Sequence, residues 1–410
     1  MPLHRHEPVE ESAMNTASPR NSICETLRAA YHMTGEPDVK LKLREATAMA
    51  KAMSAKLAEK QPKWYHNFWD LNPDGLRKQH ELMLKPIDIL MISYDDFANT
   101  MYRFWMCAKH LGLNAIAIKG KMHPFMYPFQ APLHPSLMNT PINAAPLTVM
   151  APGLESMIDS ARVVHLFTST YPMCTAKWDK VPVIVQHGGT YYRQNPKAMN
   201  DFFNNMVQQT VIQCPDLLNL GAKNETLIYY PVDTNMVRPD FTKKKDKLVV
   251  GHFPSNPEVK GTETIYNAVK DIEGIEYIGA KPGEDWGLKP WAVNLKRFHQ
   301  CDVIIETCKA DQNGKPFGEF GNTALEASAS GCICVSNCLR QDIYQQEYGK
   351  LGLHVANNGV ELKTEIQRLV TLSDDDLMAE KKACYEWAVN NHSIPVTADR
   401  LWERVYSRYF

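Results

Sequence analysis

Residues 87–120 read IDILMISYDDFANTMYRFWMCAKHLGLNAIAIKG, and the order of the parts decides what kind of fold the chain can make. IDILMIS and NAIAIKG are short, apolar and rich in β-branched residues, as strands buried on both faces are. Between them NTMYRFWMCAKHLG has helical length, with Asn99 or Thr100 to cap it and Gly112 to stop it. Strand, helix, strand in that order is βαβ punctuation and predicts a parallel sheet. The turn after the first strand, YDDFANT, lacks the G-x-G-x-x-G of a dinucleotide-binding dehydrogenase, so that reading falls. Small Ala98 and Asn99 leave room for a ligand at the helix start, although a cap is the simpler role for Asn99.

The same alternation continues through ARVVHLFTS, VPVIVQHG, TVIQCP and TLIYYPV. The polar, Lys-rich stretch PVDTNMVRPDFTKKKDK then reads as a linker. Beyond it come KLVVGHF, a helix from about Gly261, IEYIGA, the helical PWAVNLKRFHQ, DVIIETC, a helix holding Glu326, CICVSN and further helices. The expected fold class is α/β: two doubly wound Rossmann-like domains joined near residue 240 and facing across a ligand cleft at their strand ends. The boundaries that follow are a tail and accessory helices over 1–84, an N-terminal domain over 85–240 and a C-terminal domain over 241–395. A last helix over 396–410 is expected to pack back on the N-terminal domain.

Composition narrows the class further. With 410 residues, 44% hydrophobic and 22% charged, the chain is long enough for two cores and has a globular balance. A formal net charge of -1 provides no global attraction to nucleic acid or to an anionic membrane. The ten cysteines form no C-x-x-C pair, and Cys332, Cys334 and Cys338 lie along an apolar stretch, which reads as a buried strand in a reducing compartment and not as a zinc site. The N-terminus MPLHRHEPVEES has no apolar core segment, and no apolar run reaches spanning length, so a cytoplasmic protein without a membrane span is expected. Residues 1 to about 22 read as a disordered tail. Leu43, Ala46, Ala50, Met53 and Leu57 make one face of a basic helix that ends at Pro62, ahead of Trp64, Tyr65, Phe68 and Trp69. That helix is expected to dock on the main body, or else to touch a nucleic acid or another subunit.

Two stretches carry chemistry. In PFGEFGNTALEASASG, residues 316–331, Gly321, Asn322 and Thr323 supply a turn and N-cap chemistry, and Glu326 follows within about a turn. The free amides of a helix start attract anions, while a carboxylate beside them suits hydroxyl groups; a nucleotide offers both. In KLVVGHFPSNPEVKGTETIYNAV, Lys260 and Gly261 put an ammonium and backbone amides at the same predicted sheet edge, although the pattern is not a Walker loop.

Taken in order, GHFPSNPEVKGTETIYNAV, FHQCDVIIET and GEFGNTALEASASG resemble the donor domain of nucleotide-sugar glycosyltransferases of the GT-B fold, close to glycosyltransferase family 4. IDILMISYDDFANTMYRF, VPVIVQHGG and YYPVD are similar to acceptor-domain segments of the same group, so the resemblance covers roughly residues 85 to 395. It implies that Lys260 and Gly261 hold the donor diphosphate with His252 nearby, that the amides of Asn322, Thr323 and Ala324 meet phosphate just after Gly321 of the same site, and that Glu326 accepts from the ribose. It places His187 across the cleft by the transferred sugar. The family pattern has two glutamates with seven residues between them; eight positions before Glu326 this chain has Gly318, so either Glu319 next door takes the catalytic place with a shifted backbone, or the sugar is held by backbone amides and another group. The implied activity is metal-independent, retaining transfer of a sugar from a UDP- or GDP-sugar to a hydroxyl of a glycan, lipid, protein or hydroxymethylated DNA base, with no further cofactor. A sugar-nucleotide epimerase and a binding protein that has lost chemistry are the competing classes. Plainer roles stand beside each assignment: a buried histidine for His187, a helix-dipole acid for Glu326, a turn residue for His252 and a solvated charge for Arg193.

Overall fold

The βαβ opening forms as the residues dictate. Ile89, Leu90, Met91 and Ile92 are fully buried in β1 (Ile87–Asp95), because a parallel strand between neighbours has no solvent face. In this computed structural model the described residues are 86–410 apart from 122, 124, 128–129, 132–151, 168–179, 288, 310, 313–314 and 317. All of them belong to one unit, His80–Phe410. The expectations for residues 1–84, the basic helix and the aromatics at 64–69 included, lie outside the described residues.

After β1 come α1 (Thr100–His110), β2 (Ala115–Lys121), α2 (Pro152–Ser160), β3 (Ala161–Phe167), β4 (Val183–His187), α3 (Gly189–Gln194), α4 (Pro196–Phe203), β5 (Gln209–Ile212) and β6 (Glu225–Leu227). They build a six-stranded sheet in the order β2-β1-β3-β4-β5-β6, parallel throughout. The second half runs β7 (Leu248–His252), α5 (Pro257–Lys260), α6 (Thr262–Val269), β8 (Ile275–Gly279), α7 (Trp291–Phe298) and β9 (Val303–Thr307). A small hairpin of β10 (Asp311–Gln312) and β11 (Lys315–Pro316) precedes α8 (Asn322–Ala329). Next come β12 (Ile333–Ser336), α9 (Gln341–Tyr348), β13 (His354–Val355), α10 (Gly359–Val370), α11 (Asp374–His392) and α12 (Ile394–Leu401). Its sheet is five-stranded and parallel, β13-β12-β9-β7-β8. Two doubly wound Rossmann-like layers result. Among the described residues no helix is long and apolar enough to cross a membrane.

Three local details differ from the sequence-based picture. Asn99 does not cap α1 with its side chain; the Asp96 carboxylate accepts from Met101 N at 2.7 Å and Tyr102 N at 3.2 Å, while Ala98 and Asn99 turn left-handed at φ 52° and 58°. The helix start of α8 is Gly321, which has no side chain to cap with, and the Asn322 amide oxygen accepts from Arg103 instead. TLIYYPV is strand only to Leu227: Tyr229 N donates to the Tyr348 hydroxyl at 2.7 Å, so the buried chain leaves the ladder to cross between the halves.

The chain crosses twice. Val232 bridges Ser393, with Val232 N donating to His392 O at 2.7 Å, so the outgoing and returning segments lie side by side. Beyond the return, Ile394, Ala398, Leu401, Val405 and Tyr406 join the core of the N-terminal half with Ile89, Met101 and Phe104. The other half has its own core, in which Val250, Ile265, Ile305, Val335 and Leu362 are fully buried.

Candidate functional site

Lys260 ends the short helix α5, whose cap residue Asn256 accepts from Val259 N at 3.1 Å. Gly261 follows at φ +75°, and a Cβ there would lie 2.4 Å from Cys308 O, so only glycine lets this turn press against the end of β9. The turn delivers the Lys260 ammonium to Glu306 Oε1 at 2.9 Å and Thr307 Oγ1 at 3.0 Å. Glu306 is the junction of the whole edge. Its side chain is 1% exposed, its two oxygens accept from Gly321 N at 3.0 and 2.9 Å, and Ser336 Oγ donates at 3.1 Å. Lysine, helix start and the ends of β9 and β12 are thereby fixed around one carboxylate.

One turn along α8, Glu326 is buried. Its Oε1 accepts from Arg103 Nη2 and from Trp291 Nε1, the latter at 2.9 Å, and Arg103 Nη1 donates to Asn322 Oδ1 at 2.7 Å. Asn322 and Thr323, partly exposed, carry the first amides of α8, which have no partner inside a helix. Lys260, Gly261, Gly321, Asn322, Thr323 and Glu326 therefore share one edge of the second sheet, at the carboxyl ends of its strands. That is where an open α/β sheet binds ligands.

Behind Arg103, the N-terminal half contributes its own buried charges. Burial pushes the Asp96 carboxyl up to about 6 against the pull of Lys119, and burial lowers the Lys119 ammonium to about 8. Lys119 in turn donates to Gln130 Oε1. His123 Nε2 accepts from Ala98 N at 2.9 Å and holds the left-handed turn; burial lowers its ring to about 3, so it stays neutral.

The other expected residues lie apart from this edge. His252 is fully buried, with ring nitrogens on Ile305 O at 2.8 Å and Thr262 Oγ1 at 2.9 Å, so it braces β7 against α6 and β9 and has no nitrogen left for a diphosphate. Burial lowers it to about 4. His187 is likewise buried, at the carboxyl end of β4, its ring stacked on Tyr192 at 4.1 Å and edge-on to Phe203. Its ring is held neutral, lowered by burial to about 3.

Glu319 points elsewhere too. It accepts from Arg340 N at 2.9 Å and the Cys338 thiol at 3.4 Å, and among the described residues shares no hydrogen-bond partner with Lys260, Glu306 or Glu326. Burial pushes its carboxyl up to about 7, with Asp216 adding repulsion and Arg193 opposing it. Arg193 is not a solvated charge: it is buried and paired with Asp216 at 2.6 Å. Gly318 has a physical reason, since a Cβ there would meet Asn337 Cβ at 3.1 Å and Leu339 Cγ at 3.2 Å.

Sequence reasoning passed over Glu306, Arg103 and Trp291. Glu306 does leave a signal, an acid closing the apolar run DVIIET where strand ends meet ligands. Arg103 leaves none: its side-chain partners Asn322 and Glu326 stand more than two hundred positions away.

No family model and no curated protein sequence matches the chain. Solved structures do. A glycosyltransferase from Rickettsia africae superposes with a TM-score of 0.55 at 14% identity, over 79% of this chain and 99% of that one. Anabaena HepE in complex with UDP-glucose does so with a TM-score of 0.54 at 13% identity, over 78% and 100%. Sucrose-phosphate synthase from Thermosynechococcus elongatus follows with a TM-score of 0.50 at 11% identity, over 78% and 100%. At such identities the likeness establishes the fold: two Rossmann-like domains in the GT-B arrangement.

Proposed function

We propose that the chain is a glycosyltransferase that moves a sugar, with retention and without a metal, from a UDP- or GDP-sugar to a hydroxyl acceptor. The observation that carries this is the convergence of the Lys260 ammonium and the first amides of α8 on one sheet edge, with the Glu326 carboxylate one turn further along the same helix. Those are the groups a nucleoside diphosphate needs: cation and amides for phosphate, an acceptor for ribose hydroxyls. HepE, of the same fold, is a protein solved with UDP-glucose, which makes UDP the first probe.

The chemistry follows from where charge develops. As the bond from the anomeric carbon to the diphosphate breaks, its electron pair goes to the leaving oxygen, which Lys260 and the amides of Asn322 and Thr323 stabilise. With no side chain at Gly318 and Glu319 turned to Arg340 and Cys338, no carboxylate of that pair is placed as a nucleophile. We therefore favour attack of the acceptor hydroxyl on the face the diphosphate leaves, its proton passing to the departing phosphate oxygen. A DNA acceptor drew its support from residues 40–69, which lie outside the described residues.

The test is a thermal-shift and donor-hydrolysis screen of the native protein against UDP, GDP and their common sugars, with Lys260→Ala and Glu326→Ala alongside. One nucleotide should raise the melting temperature of the native chain, by about 2.7 kcal/mol of added stability at a hundredfold excess over Kd. Both variants should lose that shift. Variants that respond as the native protein does would show that this edge is not the donor site.

A further inference from the structure

The charge that faces Glu326 is supplied by the opposite half of the chain. Arg103 projects from α1, is buried, and reaches α8 of the C-terminal half. Asn322 and Glu326 are four residues apart in α8, so they stand one above the other on one face. The planar fork of the guanidinium spans the pair, one nitrogen on the Asn322 amide oxygen and the other on Glu326 Oε1. Arg103 Nη1 also comes within 3.5 Å of Pro231 O, where the chain first crosses between the halves.

The arrangement has a chemical consequence for the carboxylate. Oε1 is filled by Arg103 and Trp291, whereas Oε2 accepts nothing among the described residues. Glu326 is among the residues that line a small cavity, together with Asn99, Tyr102, Arg103, Tyr127 and Trp291. A carboxylate at this depth needs a charged partner, and a guanidinium that grips both ends of one helical turn also fixes the rotamer that aims the second oxygen. Lysine, a single ammonium on a flexible stem, cannot hold both.

Resting on the reading of this edge as a nucleotide-sugar site, we propose that Arg103 is a positioning residue for the donor ribose: it holds Glu326 so that Oε2 receives a ribose hydroxyl. The nucleoside is thus read by a carboxylate whose geometry the other half of the molecule sets.

The experiment is calorimetric titration of the full chain and of Arg103→Gln, Arg103→Lys and Glu326→Gln with UDP, GDP and their 2′,3′-dideoxy forms. Each is titrated at a temperature where circular dichroism shows it folded. The native chain should prefer the ribonucleotide to its dideoxy form. Arg103→Gln should weaken the ribonucleotide about tenfold, the scale of a lost hydrogen bond to a charged group, and leave dideoxy binding unchanged. Arg103→Lys should recover only part of the loss. Equal weakening of both nucleotides would reduce Arg103 to a structural tie and overturn the inference, and unchanged binding of both would do the same. If the native chain and Glu326→Gln treat the two forms alike, the ribose role of Glu326 falls, and the proposal for Arg103 with it. A native chain that binds none of the four probes removes the donor-site reading itself, which separates that failure from a failure confined to Arg103.

Discussion

At the scale of single residues, Glu319 is the titratable group whose behaviour is easiest to check. Its carboxyl is raised from an ordinary 4.5 to about 7, by burial first and by Asp216 second. Between those pH values the folded chain keeps a proton that the unfolded chain has released. The resulting stability is full below the ordinary value and is lost as pH rises through about 7, up to about 3 kcal/mol in all. Native melting temperature should therefore fall between about pH 5 and pH 8, and Glu319→Gln should flatten part of that fall; parallel curves for the two proteins would contradict it. Single residues were also where the sequence was least legible. Lys260 and Glu326 stand out because a lysine before a turn and an acid in a helix start carry local meaning. The role of Glu306 emerges only when Lys260, Gly321 and Ser336 are brought to it from three separate elements. His187 and His252 drew attention as histidines at strand ends, but both rings are enclosed by packing that no local pattern records.

At the scale of elements, the turn from α5 to α6 shows how little freedom the edge has. Gly261 combines a left-handed backbone with backbone atoms of Cys308 against its α-carbon, and Cys308 N donates back to Lys260 O at 3.2 Å. Gly261→Ala should cost about 2 kcal/mol or more in urea denaturation and weaken UDP binding along with it, because Lys260 moves with the turn. A variant with unchanged midpoint would show that the turn can relax. Strands and most helices were legible because their apolar runs are short and bounded by turn residues. Helix starts were less so: α1 is capped by Asp96 from across a left-handed turn, and α8 begins on Gly321 with its amide given to Glu306. In both cases a carboxylate already fixed by tertiary structure replaced the local cap that Asn99 or Asn322 suggested.

For the molecule as a whole, the end of the chain belongs to the core of its beginning. Leu401 is fully buried among residues of β1 and α1. Leu401→Ala should cost about 2–5 kcal/mol in chemical denaturation, as a core cavity does. A loss below about 1 kcal/mol would mean that α12 and the turns after it only rest on the surface. Two cores and two parallel sheets were readable from the alternation of strands and helices, because each βαβ unit is local in sequence. How the halves grip one another was not, since Arg103, Tyr229 and His392 act over long separations. The paired crossings at Val232 and Ser393 also set what motion is open to the halves. A single connecting strand would act as a swivel, free to twist in any direction. Two strands tied side by side act as a door hinge: points next to them barely move, and displacement grows with distance from the line they define. Cutting either strand alone would turn the hinge back into a swivel.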